Sequence, residues 1–187
     1  FYYITKHMWF GFKAGTGTSP CSWAVLEVVS LYHRQNASVK AACLDLSKAF
    51  DKCMFSALFL KILHRGVPPI IVRGLLSMYV FQKCHVRWSA DKSISNSFSV
   101  SNGTRQGSVL SPLIFSIYLD DLRQKGFGCQ INGVWLGCCG YADDLILMAP
   151  SREAMAKMIQ VCEEYANLHN LEFSTDPIPT KSKTKCN

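Results

Sequence analysis

The segment Tyr141–Ala149, YADDLILMA, constrains the fold more than any other part of the chain. Its apolar run Leu145–Ala149 predicts a fully buried strand. The two adjacent aspartates follow Gly140 and precede this strand, so we predict that they lie at the tip of a hairpin, at the end of a buried sheet. Carboxylates in such a place are costly without a cationic partner, and a divalent metal ion is a natural one.

A second Asp-Asp pair lies in the pentapeptide Tyr118–Leu122 (YLDDL), which differs from YADDL in one residue but has different flanking residues. Apolar residues at helical spacing run through it, which predicts a helix. Successive helical side chains diverge by about 100°, so Asp120 and Asp121 could not both face one metal ion. We interpret this pair as a solvated helix surface that the following Arg123 and Lys125 partly neutralise.

A metal site for phosphoryl transfer usually needs a further carboxylate, and Asp45 is the candidate. It ends the apolar segment AACLD, which predicts another buried strand. Side-by-side pairing of the two strands would bring Asp45 against Asp143 and Asp144, and the three carboxylates could then hold two Mg²⁺ ions roughly 3.5–4 Å apart. Alternatively, Asp45 caps the helix that follows it, a role for which Asp51 competes.

The rest of the pattern predicts one α+β unit, with strands, hairpins and helices interleaved around a mixed sheet and the helices on one of its faces. The segment KCHVRWS (83–89) alternates apolar and basic residues, which predicts a half-buried strand with a basic outer face. SFSV (97–100) is its predicted hairpin partner. Helix starts are predicted at Ser19-Pro20, Pro68-Pro69, Ser111-Pro112 and Ser151, with a helix end at Gly66.

Charge and composition narrow the class of partner. The net charge of +7, from 20 Lys+Arg against 13 Asp+Glu, favours a polyanion such as nucleic acid, although a merely soluble basic surface explains it as well. The 9 cysteines lack zinc-type spacing and indicate reduced, intracellular thiols. No apolar run is long enough to predict a membrane span, and no targeting signal is visible.

Three blocks in this order resemble the reverse transcriptases: CLDLSKAFD (43–51), NGTRQGSVLSP (102–112) and YADD (141–144). They are most similar to those of non-LTR, LINE-type retrotransposons, and group II intron maturases are the class most easily confused with them. FGFKAGTGTS (10–19) and LEFS…KSKTK (171–185) extend the resemblance over nearly the whole chain. One departure is that Trp9 and Phe10 occupy the region where the family usually has Gln.

The resemblance implies an α+β right-hand polymerase fold, with this chain as the palm, an antiparallel sheet with helices packed on one face, and part of the fingers. It implies that residues 1–187 are a partial reverse transcriptase domain that lacks the upstream finger motifs and the thumb. The implied activity is that of an RNA-directed DNA polymerase, which extends a DNA primer with dNTPs on an RNA template and uses two Mg²⁺ ions, with Mn²⁺ as an alternative. The implied compartment is the nucleus or cytoplasm, and the oligomeric state stays open.

The resemblance also implies roles at the metal site and at the sugar. Asp45 is the first metal ligand, with the Leu46 backbone carbonyl beside it; Asp143 is the second ligand, and Asp144 is the accessory carboxylate. Phe50 is the steric gate, because a ring under the sugar leaves no room for a 2′-OH. The alternative for Phe50 is an ordinary core aromatic.

Further implied roles concern the nucleotide and its leaving group. Gln106 and Gly107 belong to the loop that contacts the incoming nucleotide, and Arg105 adds positive charge for phosphate. Lys183 is the candidate general acid for pyrophosphate, with Lys181 and Lys185 as rivals.

A second hypothesis is a catalytically decayed or repurposed copy that binds RNA or an RNA–DNA hybrid through its phosphates. The three intact carboxylates and the intact glycine loop argue against decay.

Overall fold

The strands that carry the predicted carboxylates form the centre of the molecule. A computed structural model of the chain describes residues 10–12, 15–122 and 127–174, and the backbone of 185–186. The strands are β1 (Lys40–Asp45), β2 (Lys83–Cys84), β3 (Phe98–Ser99), β4 (Gln130–Ile131), β5 (Val134–Trp135), β6 (Cys138–Tyr141), β7 (Asp144–Ala149) and β8 (Lys185–Cys186). The helices are α1 (Thr18–Arg34), α2 (Ala49–Lys52), α3 (Phe55–His64), α4 (Pro69–Val80), α5 (Ser111–Leu119) and α6 (Arg152–Leu168), and a 3₁₀ helix spans Asp120–Leu122.

The central sheet has the strand order β6-β7-β1-β8, and each neighbouring pair is antiparallel. β1 and β7 pair along their whole length, from Lys40 opposite Ala149 to Asp45 opposite Asp144. The hairpins β2–β3 and β4–β5 form two further small sheets. The α+β prediction is therefore confirmed.

Alternation along the strands decides which residues enter the main core. Ala42 and Leu44 of β1 and Leu145 and Leu147 of β7 are buried on one face of the sheet. They share a single apolar core with side chains of α3, α4, α5 and α6. The prediction of helices packed on one face holds for these four helices.

Helix α1 is on the opposite face, which also carries apolar side chains. Cys21 and Val28 of α1 form a second, smaller cluster with Cys129, Cys139 and Met148. Cys139 and Met148 alternate along their strands with residues of the main core, so their side chains lie on the other face of the sheet. A separate layer must bury them there. Both faces of the β6–β7 end are thus covered.

Most predicted helix boundaries agree with the structure. The helices α4, α5 and α6 begin where proline and serine predicted, and the Ser151 hydroxyl accepts the Ala154 N–H at 3.1 Å. The end of α3 is followed by Gly66 at φ +78°. The first helix differs: it begins at Thr18 with Gly17 as its N-cap, not Ser19.

The prediction of a half-buried strand at 83–89 is wrong. Regular pairing is limited to β2 with β3, followed by one bridge between Arg87 and Ile94. Val86 and Trp88, which were predicted to face a core, are exposed, because this hairpin does not pack on the central sheet. Among the described residues, no helix has the length and apolar character needed to cross a membrane.

Candidate active site

The end of the central sheet brings two carboxylates together. Asp45, the last residue of β1, lies directly opposite Asp144, the first residue of β7. Side chains of directly opposed residues share a face of the sheet, with Cβ atoms about 4.5–5.5 Å apart. Both residues line a cavity of about 290 Å³, together with Cys21 and Tyr141. The Ser174 hydroxyl donates to Oδ2 of Asp45 at 2.9 Å.

The YADD segment forms the tip of the β6–β7 hairpin, as predicted. Tyr141 pairs with Asp144, so the loop between the strands consists of Ala142 and Asp143. Ala142 has φ +56°, in the left-handed region that favours glycine. The Leu46 N–H donates to the Asp143 carbonyl at 3.2 Å. This hydrogen bond ties the turn to the end of β1 and fixes the two strand ends relative to each other.

The three predicted carboxylates are not equivalent in the structure. Asp45 and Asp144 face each other, whereas Asp143 lies in the turn. In the part of the chain that the structure describes, no group of three or more His, Cys, Asp or Glu side chains is arranged to hold a metal ion. The facing pair of carboxylates fits a hard divalent cation, which prefers oxygen ligands.

The alternative role of helix cap is not taken by either acidic candidate. The N-cap of α2 is Lys48, at φ +50°, and the N-cap of α3 is Met54. Neither helix receives a side-chain cap. Asp45 is therefore free of the capping role that the sequence left open, and Asp51 lies within the first turn of α2.

The FGF block supports the aspartate turn through its backbone. The Phe10 N–H donates to the Gly140 carbonyl at 2.9 Å. A Cβ added to Gly11 would lie 2.5 Å from the backbone nitrogen of Ala142, so only glycine fits against the turn here. Sequence reasoning did not find this contact; its only signal was a glycine within a block that resembles the family.

Phe50 packs at the edge of the main core. Its ring stacks on Phe115 at a centroid distance of 4.1 Å and meets Phe12 edge-on at 6.2 Å. The side chain is half-buried and packs against the main core. This packing agrees with the alternative of a core aromatic, and the steric-gate role stays a prediction.

The loop of the NGTRQG block is fastened to helix α2. The Thr104 N–H donates to the Phe50 carbonyl at 2.7 Å, and the Gly103 N–H donates to the Cys53 carbonyl at 2.8 Å. The Gln106 amide donates from Nε2 to Oδ1 of Asp51 at 3.0 Å. The second and first sequence blocks therefore form one structural unit.

Arg105 is engaged with helix α4 and the residues after it. Its Nε donates to Oε1 of Gln82 at 2.7 Å, and its Nη2 donates to the Met78 carbonyl at 2.6 Å. The guanidinium also lies 5.7 Å from the centre of the Tyr79 ring. These contacts anchor the loop, and a role for Arg105 at phosphate stays a prediction.

Of the remaining predicted residues, the structure describes some and not others. Gly107 is exposed at φ +83°, which suits a close backbone approach. Lys183 and its rival Lys181 lie outside the described residues, and of Lys185 only the backbone in β8 is described.

The interpretation of the YLDDL pair as a solvated surface is wrong for Asp120. This carboxylate is buried, with 4% of the residue exposed, and accepts from Nη2 of Arg65 at 2.6 Å. Asp121 pairs with Nζ of Lys61 at 3.0 Å. Helix α5 is buried along most of its length, so its end enters the core and its carboxylate needs a cation. Within the described residues, Lys61 of α3 and Arg65 directly after it supply these cations, and Arg123 and Lys125 lie outside the described residues.

Known proteins resemble this chain over nearly its whole length. The family model described as reverse transcriptase (RNA-dependent DNA polymerase) matches residues 4–184. The chain is a member of the reverse transcriptase family. All three sequence blocks that predicted this membership lie within the matched range, and the prediction is confirmed.

Curated relatives of this reverse transcriptase domain are retrotransposon proteins. The chain is 24% identical over 184 residues to the Pol polyprotein from the type-2 retrotransposable element R2DM of Drosophila melanogaster, covering 94% of this chain and 17% of the relative. It is 33% identical over 150 residues to the probable RNA-directed DNA polymerase from transposon X-element of the same species, covering 80% and 16%. The chain thus spans about a sixth of the length of these relatives.

Solved structures confirm the fold of the reverse transcriptase palm. A telomerase from Candida tropicalis in complex with a fragment of telomeric RNA superposes with a TM-score of 0.70 at 13% identity, covering 96% of this chain and 30% of that one. A telomerase from Candida albicans in a similar complex gives a TM-score of 0.67 at 11% identity, covering 96% and 32%. At such identity the likeness concerns the fold alone.

Proposed function

We propose that this reverse transcriptase domain serves an RNA-directed DNA polymerase of a non-LTR retrotransposon. The reaction is the transfer of deoxynucleotides from dNTPs to the 3′-OH of a DNA primer paired with an RNA template. The observation that carries the proposal is the direct opposition of Asp45 and Asp144 beside a cavity, within a chain of this family. Two carboxylates that face each other at a sheet end suit a site that binds cations during phosphoryl transfer.

Asp45 and Asp144 would hold a divalent cation, and Asp143 and the Leu46 carbonyl would complete its coordination. Mg²⁺, when bound, supplies the positive charge that lowers the pKa of the attacking hydroxyl and stabilises the leaving pyrophosphate. Ser174 orients the Asp45 carboxylate through its hydrogen bond. The hydrogen bond between Leu46 and Asp143 keeps the turn beside the strand end, so the ligands are preorganised.

Phe50 would select deoxynucleotides by steric exclusion of the 2′-OH. Its ring is braced by stacking on Phe115, so it cannot yield easily to a larger sugar. The loop with Gln106 and Gly107 would contact the nucleotide, with Arg105 as a further cation. Lys183 would donate the proton to pyrophosphate.

The same proposal names RNA and DNA as partners and the nucleus or cytoplasm as the compartment. The net charge of +7 supports binding to a polyanion.

A primer-extension assay with the full-length protein on a homopolymer RNA template tests the activity. We expect Asp45→Ala, Asp143→Ala and Asp144→Ala each to reduce incorporation by at least about a hundredfold. Asp121→Ala is the matched control from the other Asp-Asp pair, and its activity should stay within about twofold of the parent protein. Undiminished incorporation by Asp45→Ala or Asp144→Ala would contradict the site.

The hypothesis of a decayed copy makes a different prediction for metal binding. Calorimetric titration with Mg²⁺ or Mn²⁺ should show binding that the triple alanine variant loses. A folded protein that binds RNA but shows neither extension nor carboxylate-dependent metal binding would favour the decayed copy.

A further inference from the structure

The hairpin formed by residues 83–99, here called the hairpin arm, exposes its apolar side chains to solvent. Trp88 is 65% exposed, Val86 48% and Phe98 47%. Val86 and Trp88 occupy alternate positions along the first half of the hairpin. Phe98, in the second half, pairs with Cys84. Contiguous exposed apolar surface of this kind, rimmed by polar residues, marks interaction sites.

Main-chain hydrogen bonds give the hairpin arm a defined shape. The Trp88 N–H donates to the Ser93 carbonyl at 2.9 Å, and the Ser95 N–H donates to the Val86 carbonyl at 2.9 Å. The Val86 N–H also donates to the Ser95 hydroxyl at 2.9 Å. The Trp88 ring is therefore presented from a fixed backbone, which lowers the entropy that a ligand must remove on binding.

The hairpin arm is also basic. It carries Lys83, Arg87 and Lys92, and within the described residues none of the three forms an ion pair. The acidic side chain of the arm is Asp91, which accepts hydrogen bonds from the N–H and the hydroxyl of Ser93 at 3.0 and 2.8 Å. Positive charge is thus available to a ligand, while the negative charge is engaged within the turn.

The base of the hairpin arm adjoins the loop of the NGTRQG block. A cavity of about 400 Å³ is lined by Cys84 and Val100 at the base of the arm and by Gln106 and Asp51, which are hydrogen-bonded to each other. The base of the arm and the loop that is proposed to contact the nucleotide therefore share one cavity, so one ligand can touch both.

We infer that the hairpin arm binds the single-stranded RNA template, with a base stacked on Trp88 and phosphates paired with Arg87, Lys92 and Lys83. The inference rests on the proposed function and deepens it. Stacking platforms beside basic side chains are typical of single-strand binding. A protein partner is the competing outcome of the test, because tryptophan and arginine are also enriched in protein–protein interfaces, whereas lysine is depleted there.

The test measures RNA binding by the full-length protein without dNTPs and in EDTA, so polymerase activity does not enter. The probe is a short fluorescent oligouridylate, followed by anisotropy. We expect Trp88→Ala to weaken binding about tenfold, because one stacked base is lost. Trp88→Phe should stay within about threefold, since a ring remains. The matched control is Trp23→Ala, at a tryptophan that is 66% exposed on α1.

The charged side chains are tested by the salt dependence of the same binding. Arg87→Ala should lower the slope of log affinity against log salt by about 0.7, which corresponds to one phosphate contact on a single strand. Equal affinities for Trp88→Ala and Trp23→Ala would overturn the inference. A Trp88→Phe variant that binds RNA as weakly as Trp88→Ala would also overturn it. So would a Trp88→Ala variant that loses thermal stability but keeps its RNA affinity, since that result would indicate that another part of the protein covers the arm.

The inference and the proposed function fail in distinguishable ways. Extension that depends on Asp45, combined with unchanged RNA affinity of Trp88→Ala, would reject the inference alone. Loss of RNA affinity in Trp88→Ala without any Asp45-dependent extension would reject the polymerase and leave an RNA-binding arm.

Discussion

Asp45 and Asp144 lie directly opposite each other where β1 ends and β7 begins, so two like charges meet at the edge of the central sheet. Like charges in directly opposed positions destabilise an antiparallel pair. The apolar residues that follow Asp144 along β7 and precede Asp45 along β1 keep the strands paired despite this repulsion. Under the proposed function, this arrangement would exchange some stability for the ability to bind a cation.

Removing one of the two charges should therefore stabilise the protein in the absence of metal. We expect Asp45→Asn to raise the free energy of unfolding by about 0.5 kcal/mol in EDTA, because the repulsion ends while the Ser174 hydroxyl can still donate to the amide oxygen. Mg²⁺ should stabilise the parent protein but not the variant. Urea denaturation measures both, with Glu27→Gln on the exposed face of α1 as the control. Lower stability of Asp45→Asn in EDTA would contradict the prediction.

The contact between Gly11 and the aspartate turn predicts an effect on catalysis. In Gly11→Ala the new Cβ would meet the Ala142 nitrogen at 2.5 Å, so the turn must shift. We expect primer extension to fall by about a hundredfold, since a displacement of about 1 Å at a reacting centre has effects of that size. Gly74→Ala on α4 is the matched control, because nothing lies within 4 Å of its added Cβ. The control should gain about 0.5–1 kcal/mol of stability and keep its activity.

The hydrogen bond between Gln106 and Asp51 predicts energetic coupling between two sequence blocks. Asp51→Ala should raise the KM for dNTP by about three- to fivefold with little change in kcat, because the exposed hydrogen bond contributes only about 0.5–1 kcal/mol to the position of Gln106. A double-mutant cycle with Gln106→Ala measures the coupling. Strictly additive effects of the two substitutions would show that the hydrogen bond plays no part in nucleotide binding.

The buried ion pair of Asp120 predicts that the second Asp-Asp pair contributes to stability. Arg65→Ala removes the Nη2 donor from the buried Asp120 carboxylate, so we expect a loss of about 3 kcal/mol in the free energy of unfolding. Asp121→Asn should lose less than about 1 kcal/mol, because the Asp121 side chain is 57% exposed. Chemical denaturation of both variants measures the difference, and equal losses would contradict the assignment.

His169 predicts a dependence of stability on pH. Burial, and secondarily the Lys61 ammonium, lower the pKa of His169 to about 4. Below about pH 6.5 His169 binds a proton in the unfolded chain but stays neutral in the folded protein. The free energy of unfolding therefore falls as the pH decreases from about 6.5 toward 4. Between about pH 7 and pH 5 we expect this histidine alone to account for on the order of 2 kcal/mol.

The contribution of His169 is measured by urea denaturation at both pH values. His169→Gln should flatten the dependence on pH, whatever its absolute stability. An unchanged slope in His169→Gln would contradict the prediction.

Short stretches of the sequence were enough to predict those parts of the site that lie at the ends of strands. The apolar run after YADD predicted the hairpin tip, and AACLD predicted the strand that brings Asp45 beside Asp144. The fold class and the family followed from the same blocks and are confirmed.

Contacts between distant segments could not be predicted in this way. Periodicity placed Asp120 on a helix but carried no information about what surrounds that helix, so its burial and its partner Arg65 were missed. Alternation in KCHVRWS predicted one buried face, yet alternation states only that two faces differ, not that a core covers either. The approach of Gly11 to Ala142 depends on tertiary packing alone.

The pairing of β1 with β7 also sets when the site can come into existence. β1 ends at residue 45, whereas its partner β7 begins only at residue 144 and closes onto it through β6 and the turn. Such non-local pairing is slow to form, because the intervening chain must be closed before the contact is gained. During synthesis Asp45 has no opposing carboxylate until the last strand of the hairpin has emerged. We therefore expect the sheet to be completed and the two carboxylates to come together in the same late step of folding. A nascent chain that stalls before β7 has emerged would have no assembled site.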